Sequence, residues 1–184
     1  WLLAKKEDPS GQSSVLRVHD LTGGDSPQVV LDIDSRVATA DLSPDAGWVA
    51  YASNESGDWE VYAVPFLAED ADKVAVSVGG GGMPHWSADG QRIYYRSPEG
   101  VAVVELNVEG GRLQPGLPQL LFEGTFIGGP VGYPFQGAGL LNFEAAGDGD
   151  TFVLQQSEAG SAQTKAIIVF NWFDELERLV PTGR

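Results

Sequence analysis

No cysteine occurs among the 184 residues, so neither a disulfide staple nor a thiolate-bound metal is open to this chain. Two histidines, His19 and His85, are too few to build a zinc site without heavy carboxylate help. Cationic side chains are scarce as well. Eleven Lys and Arg face 26 Asp and Glu, and the formal net charge of −15 repels nucleic-acid phosphates and anionic lipid surfaces. A basic partner, a neutral ligand or a cation fits that field better. No apolar run approaches the roughly 20 residues needed to span a bilayer, so this segment is not expected to insert into a membrane. Also missing are a Gly-x-Ser-x-Gly elbow, a Gly-rich phosphate loop and the His-Arg-Asp and Asp-Phe-Gly signatures of kinases. No signal peptide opens the chain. It starts at Trp1-Leu2-Leu3-Ala4, already strand-like, and reads as part of a longer polypeptide whose targeting information lies elsewhere.

What the chain has in quantity is turn punctuation, 24 glycines and 11 prolines, beside only 20% charged residues. That mixture favours many short strands over long helices. It also repeats. Ala40 to Tyr51 aligns with Pro84 to Tyr95, placing Ser43 and Ser87 44 residues apart (87 minus 43), about one four-stranded propeller blade. A weaker third copy, Phe143 to Leu154, puts Asp148 where Asp45 and Asp89 stand, after an insertion expected within the Gly-rich stretch 117–141.

Ser43-Pro44-Asp45 and Ser87-Ala88-Asp89-Gly90 are turn chemistry, because Pro presets φ, Asp bonds its own backbone onward and Gly accepts positive φ. Asp45, Asp89 and Asp148 are therefore assigned structural turn roles. Strands are expected on either side of these turns, at Trp48 to Ala52, Trp59 to Pro65, Ile93 to Tyr95 and Val101 to Leu106. Fourth strands fit Lys73 to Val78 and Gln119 to Phe122.

The predicted fold is all-β: a β-propeller of four-stranded antiparallel blades, partial, with about three to four blades, and a short C-terminal helix. Residues 1–38 form a partial blade, 39–81 and 82–124 whole blades, and 125–170 an insertion plus a partial blade. Residues 171–184 form the helix and tail. The helix is read from the apolar stripe Trp172, Phe173, Leu176, Leu179 and Val180, which Pro181 ends.

On these residues the chain resembles the TolB-like propeller repeat family. That family carries a Ser-Pro-Asp-Gly turn followed by strands of the types Val49-Ala50-Tyr51, Val61-Tyr62 and Ile93-Tyr94-Tyr95. More narrowly, Ala52 to Gly57, Val64-Pro65-Phe66, Gly79 to Trp86 and Asn171 to Leu176 look like the C-terminal propeller attached to certain bacterial serine/threonine protein kinases. The resemblance spans most of residues 39–184 and implies a binding or sensory module of a larger bacterial protein, with a periplasmic or other extracytoplasmic setting. The pattern departs from the family where Ala46-Gly47 follows Asp45 and where the third copy lacks Ser-Pro.

Candidate site residues are few. Ser43 and Ser87 read as turn residues, since neither has a base and orienting group beside it in a recognisable pattern. Asp148 and Asp150 form an acidic turn that could hold a hard cation, although the longer acidic loop and distal Glu of an EF-hand are missing. His85 precedes Trp86 on the innermost strand of its blade and could face a ligand; the matching residue one repeat earlier is Asp41. Trp59 opens a strand directly after a polar turn and is expected to be partly exposed as a contact surface. No catalytic set and no cofactor are expected, so the reading is a non-enzymatic module binding a protein or small ligand. Two alternatives stand beside it: the substrate-access propeller of a hydrolase or peptidase, and a self-associating unit that completes a ring. In the last case an incomplete ring would leave open a blade face bearing Val49, Ile93 and Val103.

Overall fold

The structure, a computed structural model, describes residues 2–19, 28–66, 72–124, 143–145, 151–157 and 164–169. Most of the Gly-rich insertion, Asp148, Asp150 and the C-terminal helix segment 171–184 fall outside the described residues. Among those described, every regular element is a strand and every pairing is antiparallel.

The strands form four sheets in chain order. Sheet 1 holds β1 (Leu2–Glu7), β2 (Ser14–His19) and β3 (Gln28–Ile33). Sheet 2 holds β4 (Val37–Leu42), β5 (Trp48–Ser53), β6 (Glu60–Pro65) and the two-residue β7 (Val74–Ala75). Sheet 3 holds β8 (Gly82–Trp86), β9 (Arg92–Arg96), β10 (Gly100–Glu109), β11 (Arg112–Pro115) and β12 (Gln119–Glu123). Sheet 4 holds β13 (Phe143–Ala145), β14 (Phe152–Ser157) and β15 (Thr164–Val169). Each is a meander of consecutive neighbours, the blade pattern of a propeller.

Sheet 3 differs from the simple four-strand unit. β10 runs ten residues and reverses at Gly110 and Gly111, both with positive φ, into β11. The chain then breaks at Gly116 and resumes as β12, which pairs the first half of β10. The outer strand of this blade is therefore split in two, and the β10–β11 hairpin projects beyond its neighbours.

The repeated turns are built alike because they are chemically alike. Ser43 Oγ donates to Asp45 Oδ1 at 2.6 Å and accepts from the N–H groups of Gly47 and Trp48 at 3.0 and 2.9 Å, using all its hydrogen-bonding capacity. Ser87 Oγ donates to Asp89 Oδ1 at 2.6 Å and accepts from Arg92 N–H at 2.9 Å. Hydrogen bonds from serine, then from the backbone N–H groups of Gly47 and Gln91, hold the Asp45 and Asp89 carboxyls below the usual carboxylate range. A depressed folded-state pKa stabilises above the unfolded-state value of about 4, and that stabilisation fades as pH falls through the folded one. The paired variant Asp45→Asn, Asp89→Asn should thus be less stable than the parent at pH 7, with the gap closing towards pH 3. Urea melts across that range check it; both residues are exposed, so the effect is small.

Sheet 2 is buried on both faces, and the alternation of its central strands explains how. Val49, Tyr51, Tyr62 and Val64 face sheet 1, packing with Leu16 of β2 and with Val37 of their own sheet. Ala50, Val61 and Ala63 face sheet 3, where small side chains make room for Trp86, Ile93 and Tyr95. Large groups on one face and small ones on the other let neighbouring sheets interdigitate.

That packing corrects one expectation. Val49 and Ile93 are 0% exposed and Val103 4%, so none lies on an open blade face. Val49 is covered by sheet 1, and Ile93 by sheet 2. Val103 pairs Tyr94 in register and shares the face of sheet 3 against which Phe152 of β14 packs. Among the described residues, β2 of sheet 1 alternates between buried and half-buried side chains, so one of its faces is less covered than the other.

Candidate functional site

β4 and β8, the first strands of their sheets, pack directly on one another and bring two sequence-equivalent residues together. His85 Nδ1 lies 4.0 Å from Asp41 Oδ2, and the same oxygen accepts the Trp86 backbone N–H at 2.9 Å. Both strands shift register just upstream, between Val37 and Ala40 and between Gly82 and His85. Met83, within the second irregularity, has φ +53°. Such bulges bend a strand and redirect its side chains.

An imidazole beside a carboxylate is part of a hydrolytic triad, whose third part is a nucleophile. Among the described residues, the buried serines are committed elsewhere. Ser43 and Ser87 serve their turns, Ser53 accepts the N–H of Glu55 at 3.3 Å, Ser77 donates to Glu60, and Ser14 accepts the N–H of Val37 from the next sheet at 3.0 Å. Among the described residues, no group of three or more His, Cys, Asp and Glu could hold a metal ion. No described helix is long and apolar enough to cross a membrane.

Trp59 is not the exposed contact surface that its position after a polar turn suggests. It is 9% exposed. The loop before β8 is tied back to the start of β6: the Gly81 N–H donates to the Trp59 carbonyl at 2.8 Å, and Ser77 Oγ and Gly80 N–H both donate to Glu60. A strand start held under a returning loop buries its aromatic.

One concavity among the described residues is contained in no single repeat. An open cleft of about 620 Å³ lies between sheets 1 and 2, lined by Ser10, Gly11 and Gln12, by Asp34, Ser35 and Arg36, and by Asn54. Three turns build it, and each is stiffened. Asp8 accepts the N–H groups of Ser10, Gln12 and Ser13 at 3.1, 2.7 and 2.9 Å, with Ser10 Oγ as a further donor. These bonds, that of the serine hydroxyl foremost, hold its carboxyl far below the usual range. Asn54 clamps the other wall: its Oδ1 accepts Arg36 N–H at 2.9 Å, while its own N–H donates to the Arg36 carbonyl at 3.3 Å. The result is a fixed concave surface of hydroxyls, amides, one carboxylate and one guanidinium. Asp8-Pro9-Ser10-Gly11 is a plain turn signal. Nothing local shows that it meets Arg36 and Asn54.

No known protein family matches the chain by sequence, and no curated protein does. Solved structures do resemble it. A protein of Agrobacterium tumefaciens described as TolB superposes with a TM-score of 0.50 at 14% identity, over 91% of this chain and 61% of that one. A protein of Bacteroides uniformis described as a 6-phosphogluconolactonase gives 0.47 at 17% identity, over 88% and 50%. The periplasmic gluconolactonase of Pseudomonas aeruginosa gives 0.43 at 20% identity, over 84% and 49%. The chain thus spans between half and three fifths of the length of the first two. With its four antiparallel meanders and its likeness to the TolB structure, the chain has the fold of a β-propeller segment.

Proposed function

We propose that this chain is a non-catalytic recognition module of a larger bacterial protein, binding a protein segment or a small polar ligand in the cleft between sheets 1 and 2. One observation carries the reading: three turns from two sheets converge there with their donors and acceptors already fixed by Asp8 and by the Asn54–Arg36 clamp. Recognition gains from such pre-organisation, because little ordering is left to occur on binding. Occupation of the buried serine hydroxyls by turns and strand links supports a role without turnover. The sequence resemblance to TolB-like repeats and to kinase-attached propellers supports a sensory role outside the cytoplasm, in contact with the rest of a longer chain or with a second copy.

The test is NMR titration of the labelled chain with a library of short peptides and polar metabolites. The expected result is saturable shifts confined to residues 10–12, 34–36 and 54, abolished by a Ser35→Trp plug that leaves the remaining spectrum intact. Reproducible turnover of any library member, lost on Asp41→Ala or His85→Ala, or the absence of any perturbation in the cleft, would overturn the proposal.

A further inference from the structure

A second cleft, of about 410 Å³, lies elsewhere, between sheet 2 and the projecting β10–β11 hairpin of sheet 3. Its floor is apolar. Trp48 and Val74 are partly buried and pack against the core shared by sheets 2 and 3, of which the buried Leu113 is a member; Pro65 completes the lining. Its charges come in one opposed pair: Asp72 from the segment entering β7 and Arg112 from the start of β11. Both are exposed, and neither makes a side-chain hydrogen bond or ion pair with any described residue, including each other.

Two opposite charges that line one cleft yet stay apart leave room for something between them. An anion would dock on the planar guanidinium and a cation on the carboxylate, with an apolar body lying on the Trp48 ring and against Leu113 and Val74. From this we propose that the cleft is a binding site for a small zwitterion with an apolar side chain, of the size of a short peptide with free termini. The amine pairs with Asp72 and the carboxylate with Arg112. The volume falls within the range of small-molecule sites and takes a dipeptide with little spare room. The cleft exists only because β10 overruns its blade, which makes it a feature of sheet 3 and independent of the turn cleft between sheets 1 and 2.

The experiment is calorimetric and NMR titration of the full chain with leucyl-phenylalanine, its N-acetylated form and its C-amidated form. The free dipeptide should bind saturably and shift the Trp48 indole resonance, and blocking either terminus should weaken binding about tenfold or more, as expected for losing a charge-assisted hydrogen bond. In Arg112→Gln the free and amidated peptides should bind alike; in Asp72→Asn the free and acetylated peptides should. Both side chains are exposed, so neither change threatens the fold. Absence of saturable binding by the free dipeptide, or preferences for free termini that survive both substitutions, overturns the proposal.

Discussion

Replacing Gly100 by alanine should destabilise the chain by roughly 3 kcal/mol, the upper end for an overpacked site, and lower its melting temperature by about 6–12 °C for a domain of this size. The cause is steric and lies in the backbone. A Cβ at Gly100 would stand 2.0 Å from the Phe122 carbonyl oxygen and 3.0 Å from Glu123 Cα, on the strand that pairs with it. No side-chain rotation relieves that clash, so β12 must move away from β10 and forfeit part of the ladder that closes sheet 3. The same residue also closes the preceding turn, where its N–H donates to Ser97 Oγ at 3.1 Å and its carbonyl accepts the Ser97 N–H at 2.9 Å. Gly82→Ala is the matched control. It lies on β8 with open space where its Cβ would go and with φ outside the left-handed region, so its effect should stay within about 1 kcal/mol. Differential scanning calorimetry on the two variants decides the point, and equal melting temperatures would mean that β10 and β12 are not paired as described.

The local half of this architecture was legible in the residues, for reasons that the turns make plain. Ser43-Pro44-Asp45 and Ser87-Ala88-Asp89 bond within five residues of themselves, so their geometry follows from their own chemistry. Strands flanking them alternate strongly enough for β5, β6, β9 and the first half of β10 to be anticipated. The strand expected over Val101 to Leu106 in fact runs on into the β10–β11 hairpin, whose local signal, Gly110-Gly111 between Val108-Glu109 and Arg112-Leu113, went unread; it is a two-residue loop with positive φ at both positions. Long-range features were another matter. The turn cleft needs Ser10 beside Asn54, and the Asp41–His85 contact needs two inner strands to pack with their bulges matched, relations that no local window encodes. Trp59 misled for the same reason, since its burial depends on a loop that returns some twenty residues later (81 minus 59).

Phe152→Ala is expected to cost about 3–5 kcal/mol, the range for emptying a buried aromatic site. Phe152 is wholly buried, and its ring joins β14 to sheet 3. Its ring lies edge-on to Tyr94 of β9, with centroids 5.0 Å apart at 79°, and to Phe122 of β12, at 5.9 Å and 66°. Edge-to-face pairs of this kind add to the area they bury. Because Ile93 and Tyr95 face sheet 2 while Tyr94 faces the other way, removal of this ring uncovers the opposite face of sheet 3 without touching the core shared with sheet 2. In a stack whose sheets contact mainly their neighbours, such damage stays local. Hydrogen exchange should therefore accelerate in β14 and along β9, while protection in β1, β2 and β5 stays close to that of the parent. Tyr94→Phe keeps the ring contact with Phe152 and removes the hydroxyl that accepts from Arg92 Nη1 at 3.5 Å, so it should cost less than emptying the aromatic site. If Phe152→Ala lowered stability no more than Tyr94→Phe does, sheet 4 would not be docked as the fourth member of the stack. If protection fell equally in all four sheets, the stack would unfold as one unit, and the sheet-by-sheet account of its stability would fail.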